Sequence, residues 1–327
     1  MKPSGNDTKY DASPSRKVEP SKMSKISHLR LKMMKKPPSE TKVKTANAVR
    51  NYFVPMMVVV ASSMLLWAWM YLFQSRLFAA QALTALEHGQ SEAALEMFRK
   101  SISCNPHNAP AHFYCGLICE RNGKLATALD YFNQSARLAP ENPDVLDRQA
   151  SVAIKLERYQ LAVGVYKKLF AIKSFVPAAQ QIRDQAYALE HLGKYNEALV
   201  GYVVSLKLDA NNPNATEGVA RCQMAQGQYD KAVENLNKLI RANKNDVSAL
   251  LLRGWSYKNL GFNGMAHSDL DQAIKATPRS AEAHLYKARF MDSCGDRNQA
   301  IKEFGIAVAV EPNNKKPGKN EHSICSH

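Results

Sequence analysis

From Tyr52 to Phe73 the chain reads YFVPMMVVVASSMLLWAWMYLF, an almost unbroken apolar run. Beyond residue 75 the pattern changes. Apolar positions recur three and four apart in segments of about 13 residues, paired around a short polar turn. The first pattern predicts one long apolar helix, the second a series of helical hairpins. Blocks of 34 residues beginning at Ser75, Ala109, Pro143, Ala179, Pro213, Val247 and Ala281 align the stretch up to residue 314, with Pro177-Ala178 as the one insertion. The eighth place of each block is small (Ala82, Gly116, Ala150, Ala186, Ala220, Gly254, Ala288), and the twentieth is alanine in all seven, from Ala94 to Ala300. Small side chains there let paired helices approach closely. Phe98, Phe132, Tyr166, Tyr202, Leu236, Leu270 and Phe304 at the twenty-fourth place fill the space beside them. Gly89, Gly123, Gly193, Gly227, Gly261 and Gly295 mark the turns, with Glu157 in the third, and Pro106, Pro140, Pro278 and Pro312 stop second helices. A single hairpin cannot bury its faces alone, so the seven are expected to stack.

The 34-residue period, the recurring order of small residue, Gly, Ala, aromatic and Pro, and phrases such as Gly193-Lys-Tyr-Asn-Glu-Ala-Leu199 resemble the tetratricopeptide repeat. The resemblance covers about 240 of 327 residues. It implies an all-α fold, a right-handed α-solenoid of seven hairpins (75–108, 109–142, 143–176, 179–212, 213–246, 247–280, 281–314) with a concave groove that binds peptides or proteins. The third block departs from the pattern, with Glu157 for Gly and Ser174 for the closing Pro, which predicts a bend between three hairpins and four. If the family geometry holds, the ninth place faces the groove, and the last four blocks put Tyr187, Arg221, Trp255 and Arg289 there, with Arg183 and Lys258 nearby. Arg stacks favourably on aromatic rings, and Trp, Tyr and Arg dominate binding hot spots. The ladder is therefore expected either to grip a protein segment bearing acidic or aromatic groups or to join neighbouring repeats. No block carries the Lys and Asn pair at its fifth and ninth places by which some family members hold chaperone tails. That argues against a cochaperone.

Charge refines this picture. The formal net charge is +15, yet residues 1–50 hold 13 Lys/Arg against 4 Asp/Glu, residues 51–75 hold neither, and 76–314 carry only +4. The first fifty residues, rich in Pro, Ser and Lys, cannot bury enough apolar surface to order themselves and are expected to be a disordered arm. A short amphipathic helix over 22–36, with Ile26, Leu29 and Met33 on one side, is conceivable beside anionic lipid. Without aromatic interleaving or a recognisable fold, the charge does not point to nucleic acid. Residues 51–75 suit a transmembrane helix, since at 1.5 Å per residue they cover the roughly 30 Å hydrocarbon layer. Trp67, Trp69 and Tyr71 at one end and Tyr52 at the other match interfacial preferences. The basic flank before the span should keep the N-terminus cytoplasmic and put the repeats on the non-cytoplasmic side. Six cysteines without framework spacing weigh mildly the other way, because unpaired thiols are more usual in reducing compartments.

The residues Cys104, His107, His112, Cys115 and Cys119 are metal-ligating types within sixteen positions, but His112, Cys115 and Cys119 occupy places where other blocks put packing residues. No metal site is expected there. The sequence shows no Gly-rich phosphate loop, nucleophile elbow or HExxH, and no acid/base pair can be assembled, so neither an enzyme nor a cofactor is implied. The expectation is a single-pass, membrane-inserted scaffold that binds protein or peptide in an envelope or membrane assembly. A cytosol-facing receptor and a regulatory enzyme subunit are the competing classes. The last block's Ile301, Phe304, Ile306 and Val308 precede a polar tail (315–327) expected to be disordered, and an uncovered apolar edge there suggests homo-oligomerisation or a partner.

Overall fold

A computed structural model describes residues 49–311 together with Asn47. The rest of the basic arm, with its candidate amphipathic helix, and the C-terminal tail lie outside the described residues. Among the described residues the fold is all-helical and without strands. A π-helical turn, Val49–Phe53, leads into α1 (Val54–Glu87). Then follow α2 (Ser91–Cys104), α3 (Ala109–Arg121), α4 (Leu125–Leu138), α5 (Pro143–Lys155), α6 (Tyr159–Phe170), α7 (Ala179–His191), α8 (Tyr195–Leu208), α9 (Pro213–Ala225), α10 (Tyr229–Ala242), α11 (Val247–Asn259), α12 (Asn263–Ala276), α13 (Ala281–Ser293) and α14 (Arg297–Val310).

The chain divides into two units, Met1–Met70 and Tyr71–His327. In the first unit, the described helix is apolar and exposed throughout, and Ser62 and Ser63 satisfy their hydroxyls on Val59 O (2.9 Å) and Val60 O (2.8 Å) within the same helix. Asn51–Glu87 is long and apolar enough to cross a membrane. No helix breaker stands between Pro55 and Glu87, so α1 runs through residue 75 without interruption.

The second unit is a stack of hairpins. The alanines of the twentieth place are buried in every repeat, as are those of the eighth place. At Gly116 the reason for smallness is explicit, because a Cβ there would lie 2.6 Å from the Phe132 ring. Each hairpin turn passes through the left-handed region. The six turn glycines have φ between +73° and +88°, and Glu157 adopts +58° at the equivalent place, bearing a cost the glycines avoid. Asn108, Asn142, Asn212, Asp246 and Ser280 accept hydrogen bonds from the first-turn backbone of α3, α5, α9, α11 and α13. Each such cap contributes about 1 kcal/mol.

The third joint is irregular, as the departures in block three suggest. Helix α6 stops at Phe170, and Phe175 in the following link stacks back on it with centroids 6.4 Å apart. Its hairpin keeps a small core of its own around Tyr166 and Leu169. The main core nevertheless continues across the joint, since Val163 and Ala186 belong to one cluster; it divides instead along α9, where Ala215, Val219 and Cys222 join the earlier cluster and Ala220 and Met224 the later one.

Candidate functional site

The first helices of successive hairpins present a row of clefts. One is lined by Arg183, Asp184, Tyr187, Asn214, Glu217 and Arg221, with Ile154 and Tyr202 behind them. A second, beside it, shares Tyr187, Glu217 and Arg221 and adds Glu190, His191, Ser248, Leu251, Leu252, Glu282 and Tyr286. Three of the six residues expected from the ninth-place ladder and its neighbours therefore come together: Arg183, Tyr187 and Arg221. Trp255, Lys258 and Arg289 line neither cleft.

The ladder's chemistry differs from simple stacking of Arg on aromatic rings. Arg221, whose side chain is 20% exposed, donates from Nε to Glu190 Oε1 (2.6 Å) and from Nη2 to Glu190 Oε2 (3.1 Å), and pairs through Nη1 with Glu217 on its own helix. Tyr202 completes the cluster by donating its hydroxyl to Glu190 Oε2 at 2.6 Å. Burial disfavours the guanidinium charge, but Glu190, then Tyr202 and Glu217, outweigh it and hold Arg221 still more firmly protonated than usual. Burial, reinforced by Glu190, likewise raises the Tyr202 phenol well above its ordinary range. This network ties α7, α8 and α9 together. Glu190 was not singled out in sequence because its role depends on Arg221, 31 residues away.

Tyr187 makes an edge contact with Tyr159 (6.2 Å) and with His191 (4.4 Å), while His191 stacks flat on Tyr159 at 4.4 Å. Burial pulls the His191 pKa down, partly opposed by Glu190. Arg183 is held by its neighbour Asp184, Nη2 to Oδ1 at 2.6 Å. Trp255 is only 8% exposed and packs edge-on against Tyr286 at 6.1 Å. The cation over its ring is Lys258, 4.8 Å from the centroid, rather than an arginine of the next repeat. Arg289 is half-buried on α13.

Sequence reasoning passed over a third and larger cleft at the first three hairpins, lined by Leu86, Tyr114, Leu117, Ile118, Glu120, Arg121, Arg148 and Lys155. Its charge is positive on balance, Lys155 being paired with Glu120 at 2.6 Å. No single block announces it, because the basic groups come from two different repeats.

Of the metal-ligating types near Cys104, His112, Cys115 and Cys119 are placed as packing residues, whereas Cys104 is half-buried and His107 exposed. Cys115 and Cys119 are buried in the main core, and the His112 ring lies 3.1 Å from Pro106 O through Nε2. Burial pushes the Cys115 and Cys222 thiols up to about 12. Among the described residues no group of three or more His, Cys, Asp or Glu is placed to hold a metal ion.

Two segments, residues 79–143 and 189–254, match models of the tetratricopeptide repeat. Among curated proteins the chain is similar to Protein CTR9 homolog of Arabidopsis thaliana, 21% identical over 69% of this chain and 25% of that protein. It is also similar to Photosystem I assembly protein Ycf3 of Prochlorococcus marinus, 30% identical over 32% of this chain and 65% of that protein. The chain thus spans about a quarter of the first relative's length. Among solved structures it resembles a tetratricopeptide repeat protein from Parabacteroides merdae, with TM-score 0.58, 19% identity, and coverage of 73% of this chain and 94% of that one.

Proposed function

Because this chain is a tetratricopeptide-repeat protein, we propose that it works as a membrane-anchored scaffold, holding protein partners along the inner face of its hairpins during assembly of a membrane complex. The observation that carries this reading is the row of clefts on the first helices, lined by aromatic and charged side chains drawn from neighbouring repeats. Such clefts accept side chains of an extended or helical segment, with Tyr187 as a rigid anchor of the kind that dominates interface energetics. The ion pairs change the partner chemistry expected at the later repeats. Around the second cleft Glu190, Glu217 and Glu282 outnumber Arg221, so a segment presenting aromatic or basic groups fits better there than a carboxylate.

Membrane anchoring rests on α1, exposed and uncharged from Tyr52 to Phe73, and on the basic residues before it, which would keep the N-terminus cytoplasmic and the repeats on the other side. Assembly is favoured over catalysis by the kinship with a protein named for photosystem I assembly. The test is site-specific photocrosslinking in the native membrane, with the reactive group at position 187 on the inner face or at position 204 on the exposed side of α8. Capture from 187 alone, reduced at least tenfold by Arg183→Ala, supports the reading; equal capture from both positions refutes it. A membrane-impermeant maleimide directed at the exposed Cys294, with Cys325 replaced by Ser, reports the side of the membrane.

A further inference from the structure

At the six junctions between repeats, the second helix of one hairpin is covered by the first helix of the next. The large residue of the twenty-fourth place shows the result: Phe98, Phe132, Tyr166, Tyr202, Leu236 and Leu270 are each at most 1% exposed. Their counterpart in α14, Phe304, is 37% exposed, and its neighbours Ile301 and Val308 are 70% and 63% exposed. At the place of Val308 the earlier repeats hold Ile102, Ala136, Phe170, Leu206, Ile240 and Ile274, all partly buried. At the place of Ile301 the earlier repeats hold Leu95, Leu129 and Val163, all buried, Leu199 and Val233, half-buried, and in α12 the exposed but polar His267. α14 therefore repeats, at the places of Phe304 and Val308, an interface that is covered at the six earlier junctions, and here it stands open with an apolar residue at the third place too. Residues 312–327 carry two prolines and three lysines, with Ile324 their one large aliphatic, so they do not offer a matching apolar helix.

We propose that a second copy of this chain closes it, the two α14 helices packing antiparallel about a two-fold axis between Phe304 and Gly305. The face is self-complementary in that arrangement. Ile301 of one copy meets Val308 of the other, and each Phe304 ring lies over the bare Gly305 of its mate, the large-on-small fit seen within the stack where Phe132 covers Gly116. The charged ends also complement each other, since Arg297 at the start of one helix approaches Glu311 just beyond the end of the other. Ile301, Phe304, Gly305 and Val308 share one side of the helix, three and four residues apart. The pairing is independent of whatever occupies the inner clefts.

The test is sedimentation of the full-length chain in detergent across a range of concentrations, with circular dichroism as the check on folding. The wild type should show a concentration-dependent dimer. Ile301→Glu or Val308→Lys alone should raise its dissociation constant at least tenfold with unchanged helicity, because both positions are solvent-facing in the single chain. Combining the two should restore dimerisation, since the introduced carboxylate of one copy then faces the introduced ammonium of the other. A monomeric wild type, a dimer indifferent to the single changes, or a double variant that stays as weak as the singles would each overturn the proposal.

Discussion

Gly218 in α9 is a demanding position, and Gly218→Ala tests why. A Cβ built there would lie 2.3 Å from Cζ of Tyr202 and 2.5 and 2.6 Å from its two Cε atoms, distances that real contacts do not reach. The ring is 1% exposed and cannot swing aside freely, because its hydroxyl is held by Glu190 at 2.6 Å. Alanine in a helix interior is worth about 1 kcal/mol over glycine. Overpacking costs about 1–3 kcal/mol, and a lost hydrogen bond to a charged group about 1.5–3 kcal/mol. The costs win, and a net loss of about 1.5–5 kcal/mol follows. In a Tyr202→Leu parent, with the residue that the fifth and sixth repeats carry at Leu236 and Leu270, the clash disappears and the same alanine should gain about 1 kcal/mol. Urea denaturation of the full-length chain, followed by circular dichroism, gives the midpoints for all four members of the cycle. If Gly218→Ala raised the midpoint in the Tyr202 parent, the reasoning from ring contact would be refuted.

Three further outcomes follow from the same structure. Arg221→Met leaves Glu190 and Glu217 facing each other with little solvent, and should lose about 3–5 kcal/mol in urea titration, with part recovered by adding Glu190→Gln. His191 has its pKa lowered by burial, so below the unfolded value of about 6.5 the unfolded chain binds the extra proton and the native one resists it. Stability should therefore fall as pH drops from about 7 towards 5, and His191→Gln should flatten that slope. Mass-spectrometric mapping of maleimide labelling should find Cys294 modified rapidly in the native protein and Cys115, Cys119 and Cys222 only on unfolding; fast native labelling of Cys222 would contradict its placement.

The pattern of side chains along the chain was sufficient for the helices, the hairpin turns and the small residues at the packing places, because each depends on neighbours three, four or thirty-four residues away. The left-handed turn is announced locally by glycine in six repeats, but in the third the hairpin imposes it on Glu157 against that residue's own preference. The site was legible only in part. Tyr187, Arg221 and Arg183 could be placed on one face by position in the repeat. That Arg221 spends its charge on Glu190 and Glu217, and that Lys258 rather than an arginine covers Trp255, required knowing which rotamers meet across a repeat boundary.

What the sequence determined by itself was thus the periodic part, seven copies of a hairpin entered through an apolar helix, since a repeat writes its packing rule many times over; that the apolar helix and the first helix of the first hairpin are one continuous α1 is seen only in the structure. Tertiary structure alone decided where the copies differ: the ring of Tyr202 over Gly218, the basic cleft assembled from Arg121, Arg148 and Lys155, and the open face of α14. These arise where side chains from different repeats meet, and their sign and fit depend on distances that no single block encodes.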